Sequence, residues 1–318
     1  VSATATPPRT GGPADERPTE PRAPAGTRVA LRHRLAERGI DRQLLLLAPA
    51  ALFVLVLFIY PFAYGVGLSF QPTEGGPFAA YQEFFSDPYQ RDTIWTTLKL
   101  SLPAALLNVA ASVPIAYRMR GRFRGKRLLT TVLVVPITLG TVLTAQGLLN
   151  FLGPAGWFNR ILLNVGLADE PVRLTNNYWG VFFSIVITGF PFAFLLVLSY
   201  LSGIDPTLER AAATLGAGWW QRFRRITLPL LAPGLATTFC LTFVLAFSVF
   251  PSAILVGDPA GTTRVISIAA YEAAYVQYDY PLAATIAVLM GLVELLVIAA
   301  VLGWRALLYT GSTAGGKG

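Results

Sequence analysis

The chain has 318 residues, a net charge of +8, 54% hydrophobic residues and only 13% charged ones. That is too apolar for an ordinary soluble domain, and the distribution of the positive charge, gathered in a few loops, favours an acidic membrane surface over nucleic acid as the partner. One cysteine, Cys240, and one histidine, His33, leave no internal disulfide and no site built from the usual nitrogen and sulfur zinc ligands. No metal and no cofactor is expected.

Residues 1–43 read as a separate cytoplasmic tail. Val1–Gly26 carries six prolines among Thr, Ala and charges and reads as disordered, and Thr27–Arg42 is a basic, partly amphipathic lead-in suited to an acidic membrane surface. Six apolar runs then follow: Leu44–Phe70, Ile94–Tyr117, Leu128–Leu152, Tyr178–Leu201, Ile226–Val256 and Pro281–Leu308. Each is long enough for a spanning helix, which needs about 20 apolar residues. None alternates in the manner of a spanning strand. The first run exceeds the roughly 7–15 residues of a signal-peptide core, so it is read as a retained span. The fold expected is all-α, a polytopic membrane domain over 44–309, closed by a short tail at 310–318.

Charge sets the orientation. Arg118–Arg127, "RMRGRFRGKR", holds five Arg and Lys126 with no acid, and Ser202–Arg225 holds four Arg against Asp205 and Glu209. The segments Gln71–Thr93 and Asp258–Tyr280 each carry more acids than bases, and Gly153–Asn177 is balanced. Positive loops stay in the cytoplasm, which places both termini there as well. Tyr and Trp near the span ends form an interfacial belt. Tyr271, Tyr275, Tyr278 and Tyr280 belong to it or, alternatively, form an aromatic cage. Every span contains or begins with proline, consistent with kinked, rocking helices or with ordinary membrane usage. No internal repeat is visible. "GRFRGK" at Gly121–Lys126 is one residue too short for a phosphate-binding loop, and Arg127 stands where the hydroxyl is needed, so this chain alone is not expected to bind ATP.

The stretch before the fifth run is the most informative. Asp205–Pro206 pairs a helix N-cap with proline at the first helical position. Leu208, Ala211, Ala212, Leu215 and Trp219 then recur on one face, shallow enough for another backbone to approach, and Gly216 and Gly218 end the helix, with a positive φ expected at Gly216. Such an element suits a lever gripped by a soluble motor, or a helix resting on lipid. "RAAATLG" at Arg210–Gly216, nine residues, then "ITLP" at Ile226–Pro229 resembles the EAA motif of ABC-importer permease subunits, in spacing and in its place in the last cytoplasmic loop. The resemblance extends over about Leu44–Tyr309. It implies a type I ABC-importer permease fold in a bacterial inner membrane, with two ABC ATPase subunits, a second permease subunit and an extracytoplasmic solute-binding protein as partners, surrounded by membrane lipid. ATP hydrolysis is then the partner's work, and this chain is not an enzyme. The helix of residues 206–215 becomes the coupling helix, with Asp205, Leu208, Glu209, Arg210, Ala211, Ala212, Leu215 and Gly216 as its coupling residues. Arg210 stands where the family has glutamate, with Glu209 one place earlier, so any ion pair to the ATPase there is reversed in sign or shifted.

Glu294, the acid deep in the sixth run, is a pathway candidate by the cost of intramembrane charge, or it packs against Asn108, Gln146 or Asn150. These four are the candidate pathway residues. "LAFSVFPSAILVG" at Leu245–Gly257 and "YPLAATIAVLM" at Tyr280–Met290 look like the spermidine/putrescine permease branch, which implies a polyamine-like solute. Thiamine, iron(III), sulfate and sugar permeases are the neighbouring branches. An ion-driven secondary transporter would need charge chains or repeats that this sequence lacks.

Overall fold

A computed structural model describes residues 49–72, 74–121 and 125–308. The tails at 1–43 and 310–318 and the start of the first run, at 44–48, lie outside the described residues. Among the described residues every regular element is helical. The chain divides into two compact units at Tyr60, and the second, from Pro61 onward, holds the packed bundle.

Six helices are long and apolar enough to cross a membrane. The first is α1 (Pro49–Leu68), with a widened π turn at Leu55–Ile59. A short helix, α2 (Ala79–Ser86), leads into α3 (Pro88–Met119), which Asp87 caps by accepting from the Tyr89 backbone N–H at 2.9 Å. Then come α4 (Lys126–Leu152), the short α5 (Trp157–Val165) and α6 (Tyr178–Ser202). The short α7 (Pro206–Thr214) precedes α8 (Trp219–Phe247), α9 (Pro251–Val256), α10 (Ile266–Tyr275) and α11 (Tyr280–Leu308).

The second, third, fourth and sixth apolar runs map closely onto α3, α4, α6 and α11. The fifth does not. Its helix starts at Trp219, so the basic aromatic cluster is its first turns, and it stops at Phe247 instead of running to Val256. Pro251 has no N–H to continue the ladder and instead opens α9 as its first residue. Within α4 the backbone breaks at Gly140, whose φ of 72° and ψ of 175° no helix contains. Pro136 lies just upstream.

α3 is the central packing element, set against α6 and α8. Ala104, Ala105 and Ala116 on it are fully buried, and small side chains let neighbouring helix backbones come close. One core joins α3 and α8 to α10 and α11 through Phe243, Phe247, Ile266, Leu282 and Ile286. Another joins α3 and α6 to α8 through Ala116, Phe194, Val197, Leu201 and Leu231. The acidic segment before α11 is largely helix and core: Ile266, Ile268 and Ala269 of α10 are buried.

Candidate functional site

The site is built on α7. Asp205 has an extended backbone, and its carboxylate accepts from the Thr207 N–H at 2.8 Å, occupying one of the donors a helix start leaves free. The hydrogen bonds from Thr207 hold the Asp205 carboxyl below the usual carboxylate range, with Arg210 adding a smaller pull. A depressed folded-state pKa means the cap stabilises above the ordinary value and is lost only as pH falls through the lowered one. Pro206 fills the first position. The helix ends with Gly216 at φ 82°, and the N–H groups of Gly216 and Ala217 return to Ala213 and Ala212 at 3.0 Å each.

One side of α7 is open. Leu208 is 47% exposed and Leu215 88%, with Arg210 and Ala211 beside them, while Ala212 is half-buried. Glu209 departs from the sequence expectation. It is 8% exposed and turned inward, away from that face. Arg120, one residue past the end of α3, meets its Oε2 at 2.9 Å, and the Tyr117 hydroxyl donates to the same oxygen at 3.3 Å. The hydroxyl of buried Thr227 donates to Oε1. A buried carboxylate must be paired and hydrogen-bonded, and here two spans supply the partners. Thr227 closes a π turn, Phe223–Thr227, inside α8. Tyr117 itself carries the Arg120 guanidinium at 5.5 Å from its ring centroid and meets Phe223 and Trp219 edge-on. An apolar hollow of about 840 Å³ opens beside this cluster, between α3, α8 and Val301 of α11.

The candidate pathway residues are not drawn into one cluster. Asn108 is fully buried on α3, and neither amide atom has a hydrogen-bond partner; its nitrogen lies 2.6 Å from where a Cβ on Gly189 of α6 would stand, so a larger residue there would displace the amide. Gln146 and Asn150 are exposed on α4. Glu294 is half-buried on α11, its Oε1 sealed and without a partner, so none of the three polar candidates hydrogen-bonds to it. Nor do the four tyrosines close a cage: Tyr271 packs on Tyr275 and Phe250 at 5.1 Å each, while no ring contact joins Tyr278 or Tyr280 to them.

Arg264, counted in the sequence only as a charge in an acidic loop, is a buried anchor. It is 4% exposed and donates to Glu272 from Nε and Nη2 at 3.1 and 2.6 Å, to the Tyr89 carbonyl at 3.1 Å and to Gln90 at 3.4 Å, and stacks 4.0 Å above the Tyr89 ring.

Six helices long and apolar enough to cross a membrane, with a short capped helix between the fourth and fifth, define a polytopic membrane protein. The chain belongs to the family of binding-protein-dependent transport system inner membrane components, whose model matches residues 108–309, and is an ABC-importer permease subunit. It is 30% identical over 203 residues to a probable sulfate transport system permease of Prototheca wickerhamii, covering 64% of this chain and 78% of that one. It is 29% identical to the spermidine/putrescine transport system permease PotB of Haemophilus influenzae, over 60% and 70% of the two chains. It is 32% identical to the molybdenum transport system permease ModB of Escherichia coli, over 57% and 80%. Among solved structures, a chain of a bacterial alginate ABC transporter, crystallised in complex with its alginate pentasaccharide-bound periplasmic protein, has a TM-score of 0.74 at 23% identity, covering 87% of this chain and 99% of that one.

Proposed function

We propose that this chain forms half of a solute pathway whose ATPase docks on the open side of α7. The observation that carries the reading is the exposed crest of Leu208, Ala211 and Leu215 on a helix whose buried Glu209 fixes it to two spans. A helix merely lying on lipid needs no such fixing. The basic segments 118–127 and 202–225 then face the cytoplasm together with both termini, a second permease subunit completes the pathway, and a solute-binding protein delivers from the other side. Co-purification tests this. The tagged chain brings down an ATP-hydrolysing subunit, and Leu215→Asp abolishes that association while leaving the chain inserted. Inserted wild-type chain with no such partner overturns the reading. Orientation is read by a cysteine at Thr262, after Cys240→Ser, reacting with an impermeant reagent from outside.

For the solute, the chain's own residues support a polyamine-like cation. Glu74, Glu83 and Asp279 rim a hollow of about 260 Å³ at the α2 end, and Glu294 is the one acid of the sixth span. Fixed negative charge lowers the cost of moving a cation through a low-dielectric path. The sulfate and molybdenum relatives favour a second reading, an oxyanion. Uptake of labelled spermidine, sulfate and molybdate separates them. Under the cation reading Glu294→Gln lowers spermidine uptake and spares assembly; uptake unchanged by Glu294→Gln, or uptake of an oxyanion alone, ends it.

A further inference from the structure

We propose that Glu209 is a positioning residue that carries movement of α7 into α3 and α8, and not a contact for the ATPase. The proposal rests on the docking role of α7 given above and concerns how a push on that helix leaves it. Among the described residues, every side-chain hydrogen bond or ion pair from α7 to a span runs through this carboxylate: Arg120 and Tyr117 on the α3 side, Thr227 on the α8 side. The rest of the helix has little to pull with. Ala211 and Ala213 are exposed, Ala212 is half-buried, and alanine offers one methyl. Glu209 sits roughly 100° around the helix from Leu208 and is buried while Leu208, Ala211 and Leu215 are exposed, so a partner can hold the crest while the carboxylate stays paired.

Two further features mark the cluster. Thr227 closes a π turn, in which one extra residue is accommodated and the side chain is re-aimed, and such turns within α-helices gather at functional positions. Arg120 Nη1 and the nearby Arg222 Nε are buried without partners, and this surplus of positive charge beside Glu209 strengthens the hold on its carboxylate.

The test uses the complete transporter with its ATPase and binding protein, carrying Cys240→Ser and spin labels at Ala213 on α7 and Ile115 on α3. In the otherwise wild-type complex the label separation is expected to be the same without nucleotide and with ATP and vanadate, because the two helices move together. In Glu209→Gln the fixed separation is lost on adding ATP and vanadate, while the ATPase still co-purifies and basal hydrolysis persists. The exchange of Glu209→Arg with Arg120→Glu restores the fixed separation, which a merely structural loss would not allow. Should Glu209→Gln fail to insert, Arg120→Gln breaks the same pair from the other side. A wild-type separation that changes with nucleotide overturns the proposal, as does a Glu209→Gln complex that keeps the wild-type value in both states. Failure of the docking reading looks different, because then no ATPase accompanies the wild-type chain.

Discussion

The helix α3 is gripped by an ion pair near each end, and the two grips are built differently. At its start, Arg264 bonds with Glu272, the Tyr89 carbonyl and Gln90 while stacking on the Tyr89 ring. At its end, Arg120 holds Glu209 with one nitrogen and leaves another buried and idle. The first grip uses the planar fork of arginine to the full and joins α3 to α10. The second joins α3 to a short helix and keeps capacity in reserve. In a buried site a saturated network fixes one geometry, and an unsaturated one costs more but admits alternatives. The contrast separates a fixed end of α3 from an end that can move.

The contrast breaks first at Arg264. Replacing it with Met takes this donor from Glu272 and the Tyr89 carbonyl; removing one member of a fully buried pair costs about 3–5 kcal/mol, and the 33% exposure of Glu272 makes that an upper bound here. The detergent-solubilised protein should lose thermal stability by far the most in this variant, and a midpoint close to wild type would show the start of α3 to be less fixed than its contacts imply. Next comes Gly216→Val at the other end. No neighbouring atom blocks a Cβ there, so the penalty is purely that of forcing a β-branched residue to φ 82°, about 1–3 kcal/mol. The chain should still insert, but ATP hydrolysis should uncouple from uptake; normal uptake would remove α7 as a lever. The last variant sharpens the comparison. Thr227→Val keeps shape and deletes one donor to the buried Glu209 carboxylate; a hydrogen bond to a charged group is worth about 1.5–3 kcal/mol, and the loss lies at the low end because Arg120 and Tyr117 still hold the carboxylate. It should lower the unfolding midpoint least of the three while widening the spread of α7–α8 label distances; an unchanged spread would mean Arg120 and Tyr117 alone define the link.

Much of this architecture is legible in the sequence because the bilayer demands long apolar runs and helices announce their own ends. Asp205–Pro206 and Gly216 mark the limits of α7 by local backbone chemistry, and the structure places the cap and the positive φ at those residues. What stays hidden is tertiary. Tyr89 and Gln90 lie roughly 175 residues from Arg264, and no local pattern links them. The burial of Glu209 is hidden for a related reason. Periodicity identifies an apolar stripe through Leu208 and Leu215, which the proposed docking covers with another chain, while the acid's partners arrive from α3 and from a π turn that no periodicity signals. The fifth span was overextended because Ser248–Phe250 are as apolar as a helix, and only Pro251 hints at a restart.

Gly140 carries a consequence for how this gene can drift. Its φ of 72° with ψ of 175° is a region open essentially to glycine alone, asparagine included among the excluded. Open space surrounds the position, so no neighbour has to change to admit a larger side chain. Every missense change one base away from a glycine codon nevertheless adds a Cβ, and each one asks the backbone to rewind. A replacement at Gly140 therefore strains a bend, even though a packing comparison alone would pass it as harmless.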